Sequence, residues 1–188
     1  MNAILSVNCV YISALQRLFG DHIFAHICRD LYSQFMENHQ RISNSEKQHG
    51  SQDTLGGSKT KVKNILNCFL HFFIFKSMNG QLLFDLIKVL LSSYTASDIE
   101  VLIFILHNIG LQLRKEDPGA VREFADMAES KKNSYAVELK MAEAAAKAGD
   151  TEEAGTSFVD LLKAKEKKIN FLALELVDIK NNKGTVTL

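Results

Sequence analysis

Residues 83–118 read LFDLIKVLLSSYTASDIEVLIFILHNIGLQLRKEDP, and this stretch decides the fold. Apolar residues recur at every third or fourth position on both sides of the polar segment SSYTASD, which is the spacing of one buried helical face. Thr95 or Ser97 can accept backbone N–H groups at the start of the second helix, where Asp98 and Glu100 suit the positive end of the helix dipole. The stretch therefore predicts two amphipathic helices that are joined by a short turn.

The end of the same stretch predicts a third helix directly after the second. Arg114 and Lys115 place positive charge where the helix dipole is negative. Asp117 and Pro118 then restart the chain as an N-cap and a first helical residue. A turn this short forces successive helices to lie side by side in opposite directions.

The rest of the chain carries the same helical signal, because 188 residues contain a single proline and ten glycines. We predict an all-α fold of seven or eight helices, a HEAT-like stack of antiparallel helix pairs that forms an α-solenoid in one domain over residues 1–188. Two stretches depart from the pattern. The polar residues at about 40–58 predict a flexible loop, and the weakly apolar residues at about 130–165 predict a divergent insertion with an exposed helix and a loop.

Charge and cysteine content exclude several classes of protein. Acidic and basic residues balance at 22 each, so the chain as a whole has no attraction for nucleic acid or for a membrane surface. Three widely spaced cysteines argue against a disulfide framework and favour a reducing compartment. The longest apolar run, residues 65–75, is far shorter than the ~20 residues that span a bilayer, so no membrane association is expected. The first residues lack the basic segment of a signal peptide.

No catalytic motif is present in the sequence. It contains no phosphate-binding glycine loop, no HExxH and no nucleophile elbow, so we predict no catalytic residue, no cofactor and no small-molecule substrate. His22, His26 and Cys28, together with Cys68 and His71, match zinc ligands by residue type. The paired short spacings of structural zinc sites are missing, however, and buried cysteine packs as a small hydrophobe, so we predict no metal.

The stretch 83–118 resembles the last repeats of the middle domain of initiation factor four-G, in the form carried by nucleolar ribosome-assembly proteins. The segments KNILNCFLHFFIF and INFLALELVDIKNNK resemble the neighbouring helices of that domain, and residues 20–35 are a looser match. The resemblance therefore covers about residues 20–183, with gaps, and residues 130–165 do not match. The run NxGxxLRKxD is fairly specific, whereas the leucine pattern is common to packed helices. The residues that carry the resemblance are Asp85, Leu86, Ile87, Thr95, Asp98, Ile99, Glu100, Leu106, Asn108, Gly110, Leu113, Arg114, Lys115 and Asp117.

The resemblance implies a non-enzymatic adaptor. In that family the domain clamps a DEAD-box RNA helicase of the initiation-factor-four-A type, and the nucleolar branch acts in small-subunit ribosomal RNA processing. It thus implies a location in the nucleus and nucleolus, with a splicing or translation adaptor as the alternative. Compared with the family, the chain is expected to be a partial copy that lacks the first helices. Uncovered apolar surface would then make it marginally stable or prone to aggregate.

The candidate partner contacts lie at helix ends and turns, where a solenoid presents a continuous edge. Each also has a local explanation: the cations complement a helix dipole for ~0.3–1 kcal/mol each, the aspartate caps a helix for ~1 kcal/mol, and the asparagines bond to backbone or end a helix. Gly110 is assigned to close helix packing instead. The candidates are Asn108, Arg114, Lys115, Asp117, Lys180, Asn181, Asn182 and Lys183.

Two further hypotheses about the function are direct RNA binding and an unrelated helical scaffold. Direct RNA contact would use two lysine clusters, although Glu166 interrupts the second and a charge run is usually a solvated face. An unrelated helical scaffold would share only the leucine spacing. Helicase stimulation distinguishes the adaptor from the scaffold, and salt-dependent RNA retention tests the RNA reading. The lysines concerned are Lys59, Lys61 and Lys63, then Lys163, Lys165, Lys167 and Lys168.

Overall fold

The structure is a computed structural model that describes residues 3–47, 55–148 and 152–182. Within these ranges the chain forms seven helices and no strand, which confirms the all-α prediction. The helices are α1 (Ala3–Phe19), α2 (Asp21–Lys47), α3 (Leu55–Ile74), α4 (Gln81–Ser93), α5 (Ala96–Glu116), α6 (Pro118–Ala148) and α7 (Glu152–Lys180).

The chain divides into two compact units, Met1–Leu86 and Ile87–Leu188, with the boundary inside α4. In the first unit, α1, α2 and α3 pack on one another. In the second unit, α5, α6 and α7 do the same. Each unit has its own buried core of leucine, isoleucine and phenylalanine side chains.

Contacts in the first unit show the direction of its helices. Cys9 of α1 meets Cys68 of α3, and Arg17 near the end of α1 donates to the carbonyl of Phe75 just beyond α3, at 3.3 Å. The two helices therefore run parallel. Phe24 near the start of α2 packs edge-to-face on Phe72 near the end of α3, at 5.0 Å between ring centroids. The intervening helix α2 is thus antiparallel to α3.

The second unit repeats this alternation. Lys168 of α7 pairs with Glu100 near the start of α5, and Ile179 of α7 lies against Gly110 farther along α5, so α5 and α7 run parallel. Lys180 at the end of α7 pairs with Asp126 in α6, so α6 is antiparallel to α7. A helix that packs on its second neighbour in the same direction is the arrangement of stacked helical repeats, and it confirms the solenoid-like fold class.

The start of α5 carries the predicted cap. Asp98 N–H donates to the Thr95 hydroxyl at 3.2 Å, and the Asp98 carboxylate accepts from Thr95 N–H at 2.9 Å. This reciprocal pair is a capping box, and it fixes the point at which the helix begins. By length and composition α5 could cross a membrane, but 50% of its most apolar window is buried inside the protein. The core helix of a soluble domain has the same properties.

The predicted flexible loop at 40–58 is wrong at both ends. Helix α2 continues to Lys47 and α3 begins at Leu55. Ile42, two turns beyond Phe35 on the same face, is 2% exposed and extends the buried stripe into the polar stretch. An Arg41–Glu37 ion pair one turn apart supports the helix on its exposed side. Residues 48–54 lie outside the described part of the chain.

The stretch at 130–165 also differs from the exposed helix and loop that its composition predicts. Helix α6 runs without interruption to Ala148, and α7 already begins at Glu152. Tyr135 and Leu139 are buried, and the Tyr135 hydroxyl donates to the Leu162 carbonyl at 3.3 Å. A few large side chains on one face are enough to anchor the pair of helices. Whether the stretch is an insertion relative to the family stays a prediction, and residues 149–151 are outside the described ranges.

Candidate functional site

The two predicted clusters of partner contacts lie at the same end of the second unit. Because α5 and α7 run parallel, their last turns lie at the same end, and α6 begins there. The Lys180–Asp126 pair joins the end of α7 to the first half of α6 at this end. We call this surface the α5–α7 end; it comprises Arg114, Lys115, Asp117, Lys180, Asn181 and Asn182.

Gly110 sets how closely the two helices approach. A Cβ at this position would lie 3.1 Å from Ile179 Cγ1 and closer still to Ile179 Cδ1. Both residues are buried. The prediction that Gly110 serves close helix packing is confirmed, and this contact joins the second half of α5 to the last turn of α7.

Arg114 and Lys115 are cations of the α5–α7 end. Arg114 is half-buried and Lys115 is exposed. Among the described residues, neither forms a salt bridge or a side-chain hydrogen bond. Both complement the α5 dipole, and their donors can in addition pair with carboxylates of another chain.

Three other predicted contacts are engaged within the chain. The Asp117 carboxylate accepts from Ala120 N–H at 2.9 Å, as an N-cap of α6. The Asn108 amide donates to the Phe104 carbonyl at 2.7 Å, and Lys180 pairs with Asp126 at 3.3 Å. The local explanations for Asn108 and Asp117 therefore hold, whereas the pairing of Lys180 with Asp126 was not predicted. A role in partner binding stays a prediction for all three residues.

Asn181 and Asn182 form the turn that ends α7. Both side chains are exposed, and Asn182 has a φ of 61°, a left-handed conformation that asparagine tolerates better than most residues. They confirm the predicted helix end and add amide groups to the α5–α7 end. Lys183 lies outside the described residues.

The lysines of α7 are largely engaged with neighbouring side chains. Lys163 pairs with Glu143 at 3.2 Å and Lys168 with Glu100 at 2.5 Å. The Lys165 ammonium lies over the Tyr135 ring, 5.0 Å from its centroid. Lys167 is exposed. The groove of about 800 Å³ between α6 and α7 is lined by charges of both signs, which does not favour a polyanion.

The lysines of α3 are different. Lys59, Lys61 and Lys63 are exposed, and within the described ranges none of them forms an ion pair. Lys59 and Lys63 are one turn apart and share a helix face, whereas Lys61 points to the other side. The positive patch on any one face is therefore small.

The zinc-like residues identified by type do not converge in the described part of the chain. No group of three or more His, Cys, Asp or Glu side chains there could hold a metal ion. His71 Nδ1 is bonded to the Asn67 carbonyl at 2.6 Å. Cys68 meets Cys9 instead of His71, and this thiol–thiol hydrogen bond lowers the pKa of Cys68 while it raises the pKa of Cys9.

Sequence reasoning did not anticipate the partners of the predicted residues. Asp126 and Glu100 pair with Lys180 and Lys168, and neither was expected to have this role. The sequence analysis also did not predict that the clusters at the ends of α5 and α7 lie at the same end of the unit. Strict alternation of helix direction could have revealed it, because the clusters follow helices that are second neighbours in the chain.

Three known proteins are similar to part of this chain. The mouse Nucleolar MIF4G domain-containing protein 1 is 31% identical over 75 residues, which are 40% of this chain and 9% of that protein. Its human counterpart is 28% identical over 85 residues, 45% of this chain and 10% of that protein. The Suppressor of glycerol defect protein 1 of Schizosaccharomyces pombe is 30% identical over 111 residues, 59% of this chain and 13% of that protein.

The resemblance to the middle domain of initiation factor four-G, in its nucleolar form, is confirmed. The chain spans between 9% and 13% of the length of these relatives, so the similarity concerns one helical region and not their whole architecture. No protein-family model matches the chain, and no solved structure matches it significantly.

Proposed function

We propose that the chain is a non-enzymatic adaptor whose α5–α7 end binds a DEAD-box RNA helicase of the initiation-factor-four-A type. One observation carries the proposal: the two clusters that the sequence assigned to a partner lie at the same end of the second unit, and they include two cations, Arg114 and Lys115, that have no partner among the described residues. The similarity to nucleolar MIF4G-domain proteins supports the adaptor class.

The mechanism is preorganisation. A DEAD-box helicase supplies the ATPase chemistry in two lobes, and a rigid helical edge that contacts both favours their productive orientation. A binder shifts such an equilibrium only by the difference between its affinities for the two states. Charge at the edge steers the encounter and fixes its register. The capping box fixes the start of α5, and the Gly110–Ile179 contact packs α5 closely on α7, which favours a rigid edge.

The proposed cellular location rests on the names of the relatives. Two of them are named for the nucleolus, which supports a nucleolar location for this chain. We propose a part in small-subunit ribosomal RNA processing, as the family resemblance implies. A splicing or translation adaptor would use the same edge. The pathway is distinguished by which helicase the chain retains.

The proposal is tested by retention of purified initiation-factor-four-A-type helicases on the immobilised chain after nuclease treatment, which removes RNA bridges. The wild type is compared with an Arg114→Glu/Lys115→Glu variant. The matched control is Lys59→Glu/Lys63→Glu, which makes the same change of charge at exposed, unpaired cations of the other unit. Circular dichroism confirms that all three chains are equally helical.

We expect the wild type and the control to retain a helicase. The Arg114→Glu/Lys115→Glu variant, called the α5 variant, should lose at least about tenfold in affinity, since like charges across an interface cost several kcal/mol. Equal retention by all three chains would show that the α5–α7 end does not bind the helicase. No retention by a folded wild type would leave a helical scaffold without this function.

RNA contact through α3 is a second candidate, favoured by the exposed and unpaired state of Lys59 and Lys63. Two lysines on one face predict weak binding with a shallow salt dependence, a slope of ~0.7 per phosphate contacted on single strands. Filter binding of a single-stranded RNA across a salt series measures that slope. A loss of slope in the Lys59→Glu/Lys63→Glu variant supports the candidate, and an unchanged slope excludes it.

A further inference from the structure

Helix α1 exposes a continuous apolar stripe. Ile4, Val7, Tyr11, Leu15 and Leu18 are between 50% and 76% exposed, and all lie on one face. The opposite face, which includes Cys9 and Ser13, is buried in the first unit. Large contiguous apolar patches are rare on monomers and usually mark an interaction surface.

The spacing of the stripe is symmetric about its middle residue. Val7 and Leu15 lie four residues before and after Tyr11, and Ile4 and Leu18 lie seven residues before and after it. Four and seven are also the intervals that keep side chains on one helix face. An identical helix that runs in the opposite direction therefore presents the same pattern in register.

The stripe is also free of charge. The charged residue of α1 is Arg17, which donates to the Phe75 carbonyl within the same unit. Two identical helices can therefore meet along this face without opposing like charges. Interfaces between copies with two-fold symmetry need this self-complementarity, because each residue at position i must accept position j of the other copy.

Grooves on both sides widen the apolar face beyond one helix. A groove of about 230 Å³ lies between α1 and α2, lined by Phe19, Ile23 and neighbouring apolar side chains. A groove of about 450 Å³ lies on the side of Phe75. Side chains of a second helix can interdigitate with the stripe and enter these grooves, as ridges enter grooves between packed helices.

We propose that α1 is a dimer interface in which a second copy of this chain pairs antiparallel, with the two-fold axis at Tyr11. Ile4 of one copy then packs on Leu18 of the other, and Val7 packs on Leu15. This surface belongs to the first unit and the α5–α7 end to the second. The inference therefore does not depend on helicase binding and is tested separately.

Sedimentation equilibrium of the purified chain over a concentration series measures the association. We expect the mass to rise with concentration from 21.1 kDa and to stop at twice that value. Tyr11→Glu places two carboxylates at the axis and should weaken the dimer at least about tenfold. Leu174→Glu is the matched control, because it changes an exposed leucine on α7 and should leave the dimer intact.

A charge-pair experiment tests the antiparallel register. Ile4→Glu or Leu18→Lys alone should weaken the dimer, and the two together should restore it, since each new carboxylate then lies opposite a new ammonium of the other copy. In a parallel pairing, the double variant would place like charges opposite each other, and the association would not be restored.

A Tyr11→Cys variant should form a disulfide between copies when the two thiols are oxidised by an added small-molecule disulfide, which is reduced to thiol.

Two results of the sedimentation experiment would contradict the dimer. A mass that stays at 21.1 kDa over the whole concentration range would overturn the proposal. So would a mass that grows without limit, since open-ended association is the mark of an asymmetric contact. Folding of each variant is checked by circular dichroism, and the cysteine variant gives a result that does not depend on weakened association.

Discussion

At the scale of single residues, the contact between Gly110 and Ile179 governs the geometry of the candidate site. We predict that Gly110→Ala destabilises the chain by about 1 kcal/mol. The added methyl group gains ~1 kcal/mol of helix propensity but overpacks the buried contact, which costs ~1–3 kcal/mol. Urea unfolding followed by circular dichroism measures the change.

The control for that prediction is the Ile179→Val background, which removes the Ile179 Cδ1 atom nearest to the added methyl group. The cost of Gly110→Ala should shrink there. The same cost in both backgrounds would show that the close approach of α5 and α7 is not what requires glycine. It would also weaken the case that this contact positions the α5–α7 end.

Tyr94 gives a prediction about pH. Burial raises the pKa of its phenol to about 12. In the unfolded chain the phenol ionises near its ordinary pKa of ~10, so between these values the unfolded state loses its proton first and stability falls as pH rises. Tyr94→Phe removes this titration, so its stability should fall less steeply over that range in urea unfolding at a series of alkaline pH values.

The same substitution also tests a buried polar group. Within the described residues, the Tyr94 hydroxyl has no hydrogen-bond partner, and removing an unsatisfied group recovers its desolvation cost. At neutral pH Tyr94→Phe should therefore be neutral or slightly stabilising. A loss of more than about 1 kcal/mol would mean that the hydroxyl has a partner, for example an ordered water.

At the scale of single elements, the capping box decides where α5 begins. Asp98→Ala should destabilise the chain by about 2 kcal/mol, because it removes the carboxylate that accepts from Thr95 N–H at 2.9 Å and from the Ser93 hydroxyl at 2.6 Å. Thr95→Ala loses one cap bond and should cost about 1 kcal/mol. The matched control is Ser92→Ala at an exposed neighbour, which should change the free energy of unfolding by less than about 0.5 kcal/mol.

Thermal and urea unfolding rank the three variants. The order Asp98→Ala, Thr95→Ala, Ser92→Ala is the expected result. An Asp98→Ala variant as stable as the wild type would contradict the capping account of α5.

The sequence predicts the helices well where one local signal dominates. The cap at Thr95, the restart at Asp117 and the helix end at Asn181 are all correct, because short-range hydrogen bonds and charge fix them. The predicted ends of α2 and α6 are wrong, because burial against other helices determines where these two helices end. Ile42 and Tyr135 are large buried side chains within polar stretches of sequence. The average composition of such a stretch does not reveal one large side chain, although that side chain is enough to anchor a helix.

At the scale of the whole molecule, the site depends on relations that no local pattern contains. Arg114 and Lys115 were identified from their position at a helix end. Their location at the same end as Asn181 and Asn182 depends on the parallel course of α5 and α7, and the pairing of Lys180 with Asp126 depends on the packing of α7 on α6. Sequence reasoning therefore found the residues but could not find which of them are already engaged.

The exposed apolar face of α1 also belongs to this scale. The sequence predicted uncovered apolar surface and a tendency to aggregate, and the structure shows that such a surface exists at α1. Its symmetric spacing leads to a specific expectation, a closed dimer instead of open-ended aggregation. Solubility and association state should accordingly respond to Tyr11 and Leu18 and not to the exposed leucine of α7.

The most direct test of the central claim is the ATP turnover of an initiation-factor-four-A-type helicase, measured with RNA present while the chain is titrated in. The account predicts that the wild type and the Lys59→Glu/Lys63→Glu control raise turnover to a plateau, and that Arg114→Glu/Lys115→Glu does so only at concentrations at least about tenfold higher, if at all. Turnover that the folded wild type leaves unchanged, or that the α5 variant raises equally well, would contradict the claim that the α5–α7 end is a helicase-binding surface.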